Sequence, residues 1–450
     1  MKKFVAMALL ATLFCINAIA EDLKLHLSCK ILTTNEQKVT DSKVVDSVVV
    51  LGADKLSITN GPLETIYDFD KEQIIVIDNK NKTYQKTSLY APLAFVLSET
   101  RSREGLFAMM KGAGLKKSST FSAFNIESNL GIKSRLPLDE KIKFKTENNI
   151  YIATYKNKEV ARFELSRHKL SNNQADTLNK YLAYEWQLQP DIRKELVGYN
   201  KLFKNLSFTK QQIEKMDATC DLIKVDKRGG IDTTLPANYK LIFSENERLN
   251  SLIAKGQNKS RMLSIKQYNE KIDSLLEAKR LLGAFLTMNE FVLQYWEFPE
   301  QRKDPRLKEL AGTSDMEGVL NLSSVQAKTA SDVEQLVKPV QPFIDKKIAG
   351  YPVLYAFIAN QYSYIGDTTR TYQYMYKALD ANPFMTQALL DLGGYYLQQY
   401  DTTAAFVCFE QAESIVSTHK GVVQRKKVKD FIKSQLPDHF KYSFFKKWHF

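Results

Sequence analysis

A 34-residue period close to the C-terminal end constrains the fold of this chain more than any other feature of its sequence. Two stretches, Pro352 to Pro383 and Thr386 to Gly421, carry the same classes of side chain at the same offsets. Because small residues let helices approach closely and large ones fill the space between units, the period predicts stacked helix pairs. The small residues are Ala359, Thr371 and Ala378, then Gly393, Ala405 and Ala412; the large ones are Tyr355, Ile358, Tyr362 and Met375, then Leu389, Leu392, Tyr396 and Phe409.

This pattern resembles the tetratricopeptide (TPR) repeat over residues 351–420. The proline position of the family holds Pro383 in the first repeat and Ser417 in the second, which predicts that the second repeat continues into a further helix. The resemblance implies a scaffold that binds other proteins. It also implies the positions at which the helices pack, which are Tyr355, Ala359, Tyr362, Ala378, Leu389, Gly393, Tyr396, Ala405 and Ala412.

The resemblance further implies a partner-binding groove along the first helix of each pair, here called helix A. Asn360 stands where TPR proteins that clamp a terminal carboxylate have asparagine, but Gly394 replaces the second asparagine and the basic partners are missing. We therefore expect a mixed apolar and polar groove for a partner helix or an extended segment. The alternative is that this surface packs on a neighbouring domain. The expected lining is Val353, Ala356, Asn360, Ser363, Gln387, Leu390 and Leu397.

The N-terminus has the pattern of a secretory signal peptide. Lys2 and Lys3 precede the apolar run Phe4 to Ile16, and Ala18-Ile19-Ala20 forms a cleavage site before Glu21. The longest later apolar stretch, Leu281 to Trp296, is interrupted by Asn289, Glu290 and Gln294, so it does not predict a membrane span. These features predict an exported protein, periplasmic or secreted, that is soluble after cleavage.

Cysteine content and charge narrow the class of protein without naming a function. Cleavage at residue 20 leaves Cys29, Cys220 and Cys408, which excludes a disulfide-rich scaffold and leaves the pairing open. Cys408 lies on a predicted helix, where a small buried apolar residue is expected. The formal charge of +13 is +11 without Lys2 and Lys3. In an exported protein this charge fits anionic lipid or a lipoprotein as a neighbour better than nucleic acid, and a basic surface that contacts only solvent is the alternative that we favour.

The sequence predicts an α+β multidomain fold, with an N-terminal antiparallel β-sheet domain followed by an α-helical domain that ends in TPR helix pairs. Short β-branched runs separated by polar turns such as Asp78 to Asn81 are typical of hairpins. From Asn172 onward the apolar period becomes helical, and 299–330 has the prolines and glycines of a linker. The expected segments are a signal peptide at 1–20, a β-rich domain at 21–170, a helical middle region with a linker at 171–331, and a TPR domain with a C-terminal capping tail at 332–450.

A short part of the β-rich domain resembles exported β-sheet proteins of the lipoprotein-carrier type (LolA/LolB-like) and related periplasmic families. The resemblance rests on the strand-turn-strand pattern of Thr65 to Asp70, Ile74 to Asp78 and Lys82 to Tyr84. Some of those proteins hold an acyl chain inside a curled sheet, so the resemblance implies a lipid or lipoprotein carrier. A plain antiparallel sheet without a cavity is the alternative.

The sequence contains no catalytic motif that we recognise. None of its five histidines belongs to an HxxxH or HExxH pair, and the nucleophile elbow and the phosphate-binding loop are both absent. We therefore expect no catalytic residues, no metal and no cofactor. The leading hypothesis is an exported, non-catalytic TPR adaptor that binds a protein partner in the cell envelope. A carrier is the second hypothesis, and an enzyme of unknown class is the third.

The C-terminal residues combine aromatic and basic side chains. Tyr442, Phe444, Phe445 and Trp448 lie among Lys441, Lys446 and Lys447. This composition predicts either a cap over the last repeat or an anchor to anionic lipid, and we favour the cap.

Overall fold

The computed structural model describes residues 22–35, 40–113, 122–211, 215–235, 237–244 and 246–436. The predicted signal peptide and the aromatic tail residues Tyr442, Phe444, Phe445 and Trp448 lie outside this part of the chain. The chain separates into two compact units, with divisions at Leu241/Ile242 and at Phe431/Ile432. We describe each unit by itself.

The first unit is built on a twelve-stranded sheet. Its strands β1 to β6 form one antiparallel meander and β7 to β11 a second, and the two meanders join where β1 pairs with β11. β12 pairs with β6 at the edge opposite β7. The strands are β1 Asp22–Thr34, β2 Thr40–Leu51, β3 Lys55–Asn60, β4 Leu63–Asp68, β5 Gln73–Asp78, β6 Thr83–Ser88, β7 Lys143–Glu147, β8 Ile150–Tyr155, β9 Lys158–Lys169, β10 Lys201–Gln211, β11 Lys215–Arg228 and β12 Lys240–Ile242.

One face of this sheet is covered by a helix whose apolar side chains fill the core. The helices of the unit are α1 Tyr90–Gly112, α2 Ala123–Leu130, α3 Asn172–Tyr184 and α4 Pro190–Gly198. A capping box between Ser171 and Gln174 begins α3, which packs on β2 and β3. Leu178, Tyr181 and Leu182 of α3 are fully buried. These side chains therefore occupy the inner face of the sheet.

A disulfide joins the two meanders. Cys29 of β1 lies directly opposite Cys220 of β11, with the two Cα atoms 4.1 Å apart and the sulfurs bonded. Cys408 is a free, buried thiol, as expected of a small apolar residue. The structure thus supplies the pairing that the sequence left open.

The fold class predicted from the sequence is confirmed, but the prediction that the chain is helical from residue 171 onward is wrong for 201–228. Helix α4 ends at Gly198, and Asn200, with φ +50°, turns the backbone into β10. β10 and β11 then extend the sheet because every second side chain, such as Leu206 and Phe208, points into the core. The sheet therefore continues past the expected boundary at residue 170.

The second unit contains eleven described α-helices, the last of which continues beyond the division at Phe431/Ile432. None of the helices in the described part of the chain has the length and apolar character that crossing a membrane requires. The helices are α5 Glu247–Gln257, α6 Ile265–Glu277, α7 Leu281–Tyr295, α8 Ser314–Ser324, α9 Ala330–Val337, α10 Gln341–Asp345, α11 Pro352–Tyr364, α12 Thr368–Ala381, α13 Thr386–Gln398, α14 Thr402–Ile415 and α15 Lys420–Gln435.

The segment predicted to be a linker contributes to the core of this unit. Val319 and Leu322 of α8 are buried in one cluster with Val333 of α9 and with Leu354 and Ile358 of α11. A continuous core on both sides of residue 331 does not match the expected boundary between 331 and 332. The sequence does not predict α8 because this helix is only eleven residues long and lies in a segment rich in glycine and proline.

The 34-residue period of the sequence is also a period of the backbone. α11, α13 and α15 begin at Pro352, Thr386 and Lys420, which are 34 residues apart in each step. The turns repeat as well: Asp367 and Asp401 cap α12 and α14 by accepting hydrogen bonds of 2.9 Å from the backbone N–H three residues later. α15 is the further helix that the missing second proline predicted.

Candidate functional site

The groove residues expected from the sequence fall into a covered group and an accessible group. Val353, Ala356 and Leu390 are buried, each at most 5 % exposed. Asn360, Ser363, Gln387 and Leu397 are half-buried and reach the surface. The covered group lies towards the N-terminal ends of the A helices, and most of the accessible group lies towards their C-terminal ends.

The packing positions expected from the sequence lie inside the helix pairs. Tyr355 is half-buried, and the others are buried: Ala359, Tyr362, Ala378, Leu389, Gly393, Tyr396, Ala405 and Ala412.

Helix α7 and Trp296, the residue that follows it, contact the chain just before each of the three A helices. Gly350, in the left-handed region with φ +76°, lies so close to the backbone of α7 that a Cβ atom there would collide with Leu286 and Thr287. Further along α7, Glu290 accepts a 2.7 Å hydrogen bond from Asn382, just before α13. At its end, the ring of Trp296 packs edge-on against His419, just before α15.

The accessible group together with half-buried Tyr395 is here called the open groove, so its residues are Asn360, Ser363, Gln387, Leu397 and Tyr395. The hydroxyl of Tyr395 donates to Asn360 Oδ1 at 3.0 Å, which ties α13 to α11. Gln387 Nε2 donates to Asp391 Oδ1 at 2.8 Å, and burial raises the pKa of Asp391 to about 6. Amide, hydroxyl and carboxyl groups are able to form hydrogen bonds with a polypeptide backbone.

A second site, which the sequence did not predict, is a cleft of about 780 Å³ lined by α5, α6, α7 and the turn between α12 and α13. Its floor contains Glu290 and Gln294, both at most 5 % exposed. A signal for it was present in the sequence, because these two polar residues stand four apart in the apolar run that forms α7. That spacing places both side chains on one face of the helix.

Two properties bear on catalysis and metal binding. Within the described ranges, no group of three or more His, Cys, Asp or Glu residues is arranged to hold a metal ion. His419 is fully buried, and burial lowers its pKa to about 4, so it is a neutral, apolar-packed residue.

Comparisons with known proteins do not supply a function for either site. Neither the models of known protein families nor the curated proteins contain a match to this sequence. The functional argument therefore rests on the geometry of the open groove and of the cleft.

Proposed function

We propose that the protein is an exported, non-catalytic adaptor of the TPR type, which binds an extended segment of a protein partner in the cell envelope through the open groove. The observation that carries this proposal is the set of three A helices, which start 34 residues apart. Contacts between α11 and α13 and between α13 and α15 place them in sequence order. Parallel helices at a fixed spacing present a repeating row of side chains, which is the surface that helical-repeat proteins use for binding.

The chemistry of the open groove supports an extended segment over a helix. The apolar positions Val353, Ala356 and Leu390 are buried, so they do not offer the apolar stripe that an amphipathic helix would bury. The accessible side chains are mainly amides and hydroxyls, which satisfy the N–H and C=O groups of an extended chain. Leu397 is the apolar contact that remains accessible.

Export is supported by the disulfide between Cys29 and Cys220, because disulfides persist in oxidising compartments such as the periplasm. The carrier hypothesis requires space on the inner face of the sheet, and Leu178, Tyr181 and Leu182 of α3 already occupy that face. We therefore prefer the adaptor to the carrier.

The test is capture of a partner from the envelope fraction of the source cells by the mature protein. We expect Leu397→Arg and Ser363→Arg each to abolish the captured band, because a long charged side chain fills the open groove. Gln373→Arg is the matched control, since Gln373 is exposed on α12, the second helix of the first pair. Capture that is equal for all four proteins would show that the open groove is not the binding surface.

A further inference from the structure

The cleft lined by α5, α6, α7 and the α12–α13 turn has a buried floor and a charged rim. Tyr268, Glu290, Gln294 and Phe384 form the floor, and each is at most 5 % exposed. The rim carries exposed Lys255, Asn258, Arg261 and Asp380. A volume of about 780 Å³ is in the range of sites for small organic molecules.

The hydrogen bonds of the floor leave acceptors rather than donors facing the cleft. Asn382 Nδ2 donates to Glu290 Oε1 at 2.7 Å and to Tyr268 Oη at 3.4 Å. Tyr268 Oη donates to Gln294 Oε1 at 3.1 Å, and Gln294 Nε2 donates to the Leu263 carbonyl at 3.2 Å. Tyr268, Gln294 and Asn382 therefore donate hydrogen bonds to other groups of the protein.

The second oxygen of Glu290 is the least satisfied acceptor of this floor. Its nearest cation is Lys271, with Nζ 3.9 Å from Oε2, which is beyond hydrogen-bonding distance. A carboxylate in such a buried position gains most from a cationic donor that replaces the water it has lost.

The basic residues at the rim differ in whether they form ion pairs. Asp380 already pairs with Lys255 at 2.7 Å and with Arg248 at 3.8 Å. Arg261 has no ion pair within the part of the chain that the structure describes. It is therefore the rim group that an anionic end of a ligand would meet.

We propose that this cleft binds arginine, either as the free amino acid or as the C-terminal residue of a peptide, with the guanidinium on Glu290 and the carboxylate towards Arg261. A guanidinium suits this floor better than an ammonium, because it carries five donors in one plane and is more weakly hydrated. The flat rings of Tyr268 and Phe384 beside Glu290 accommodate such a plane.

Binding should strengthen as pH rises. Burial raises the pKa of Glu290, and Lys271 opposes that effect, so the ionised form of Glu290 becomes more abundant as pH rises through a range above that of an ordinary glutamate. Tyr268 stays neutral because burial raises its pKa, and the other charged groups that line the cleft are Lys255, Arg261 and Asp380. The guanidinium is charged throughout, so the pH dependence reports Glu290.

Isothermal titration calorimetry on the full chain tests the floor contact. We expect Glu290→Gln to weaken L-arginine binding by at least about tenfold, the loss typical of a charge-assisted hydrogen bond. L-citrulline, the neutral analogue, should bind weakly and equally to both proteins. Glu270→Gln is the matched control, because Glu270 is an exposed residue of α6 that pairs with Lys266.

The rim contact has its own test, which does not depend on the buried residue. Arg261→Gln should weaken the binding of L-arginine several-fold but leave the binding of L-argininamide, which lacks the carboxylate, unchanged.

A tripeptide distinguishes the two sources of arginine. Tighter binding of Ala-Ala-Arg than of L-arginine would identify a peptide terminus as the ligand, and equal or weaker binding would identify the free amino acid. Absence of L-arginine binding at millimolar concentration, L-lysine binding as tight as L-arginine, or binding that Glu290→Gln leaves intact would overturn the proposal. Leu397→Arg should not alter arginine binding, so this result is independent of the open groove.

Discussion

At the scale of single residues, His419 is a buried titratable group whose environment favours the neutral ring. Its Nδ1 accepts a 3.1 Å hydrogen bond from the backbone N–H of Gly421, and its ring packs on Trp296. Its Nε2 has no hydrogen-bond partner within the described residues. A proton added to this ring would create a buried charge with nothing to balance it.

We expect His419→Gln to reduce the loss of stability on acidification. Burial lowers the folded-state pKa of His419 to about 4, below the usual value of 6.5, so between these values the unfolded chain binds the extra proton. The contribution of His419 to the free energy of unfolding is therefore at its full value above about pH 6.5. It falls as pH decreases towards 4, by up to about 3 kcal/mol.

Urea unfolding of both proteins at neutral and acidic pH measures this difference. Asp391 and Glu290, whose pKa values burial raises, are common to both proteins, so their opposite contribution cancels in the comparison. Parallel curves of unfolding free energy against pH for the two proteins would contradict the assignment.

At the scale of elements, two adjacent glycines of α13 differ in the space that a side chain would have. A Cβ atom on Gly393 would lie 2.8 Å from Cδ1 of Phe409 and 3.0 Å from the carbonyl oxygen of Ala405, both on α14. A Cβ atom on Gly394 would meet only the guanidinium of Arg425, at 3.5 Å. Gly393 therefore marks the close approach of the helix pair, whereas Gly394 does not.

We expect Gly393→Ala to lower the free energy of unfolding by about 1–3 kcal/mol, because Phe409 and α14 must shift. Gly394→Ala should raise it by roughly 0.5–1 kcal/mol, since alanine is the better helix former. Thermal and urea unfolding of the full chain measure both. If both variants change stability in the same direction, the assignment of Gly393 as the contact between α13 and α14 is wrong.

The elements that could be predicted from the sequence are those whose pattern is local. The helix pairs of the repeat could be predicted because Ala359 and Gly393 stand at a fixed period, and each position has a direct packing meaning. β10 and β11 were missed although Leu206 and Phe208 alternate with polar residues, because the preceding helical period was extended too far. α7 could be recognised as apolar, but its partners at Gly350 and Asn382 are distant in the chain, so no local pattern identifies them.

At the scale of the whole molecule, the Cys29–Cys220 disulfide closes a long loop, with 191 residues of sequence separation. A cross-link of this length removes much of the conformational entropy of the unfolded chain, and roughly 2–5 kcal/mol is typical for a native disulfide. We expect the double variant Cys29→Ala/Cys220→Ala to unfold at a lower temperature than the oxidised protein.

The control for this prediction uses a reductant. Dithiothreitol should lower the melting temperature of the oxidised protein and leave that of the double variant unchanged. A melting temperature that the double substitution does not alter would show that the disulfide adds no stability. Cys408 does not complicate the comparison, because it is buried and present in both proteins.

The candidate sites were predicted only in part, because they are formed by segments that are far apart in the chain. The period indicated which residues line the A helices, and Asn360 and Leu397 do reach the surface. It did not indicate that Val353 and Leu390, on the same helices, are buried. The cleft depends on Glu290, Asn382 and Arg261, which three separate segments bring together, so the sequence offered only the spacing of Glu290 and Gln294 as a clue.

The position of α7 also has a mechanical consequence. Arrays of helical repeats are normally flexible, because each repeat contacts only its neighbours. Here α7 and Trp296 contact three successive repeats, at Gly350, Asn382 and His419. Bending the array would therefore have to change these contacts as well as those between neighbouring repeats. On the proposed function, a partner in the open groove would therefore contact binding positions whose separation changes little, so we expect its length to matter as well as its chemistry.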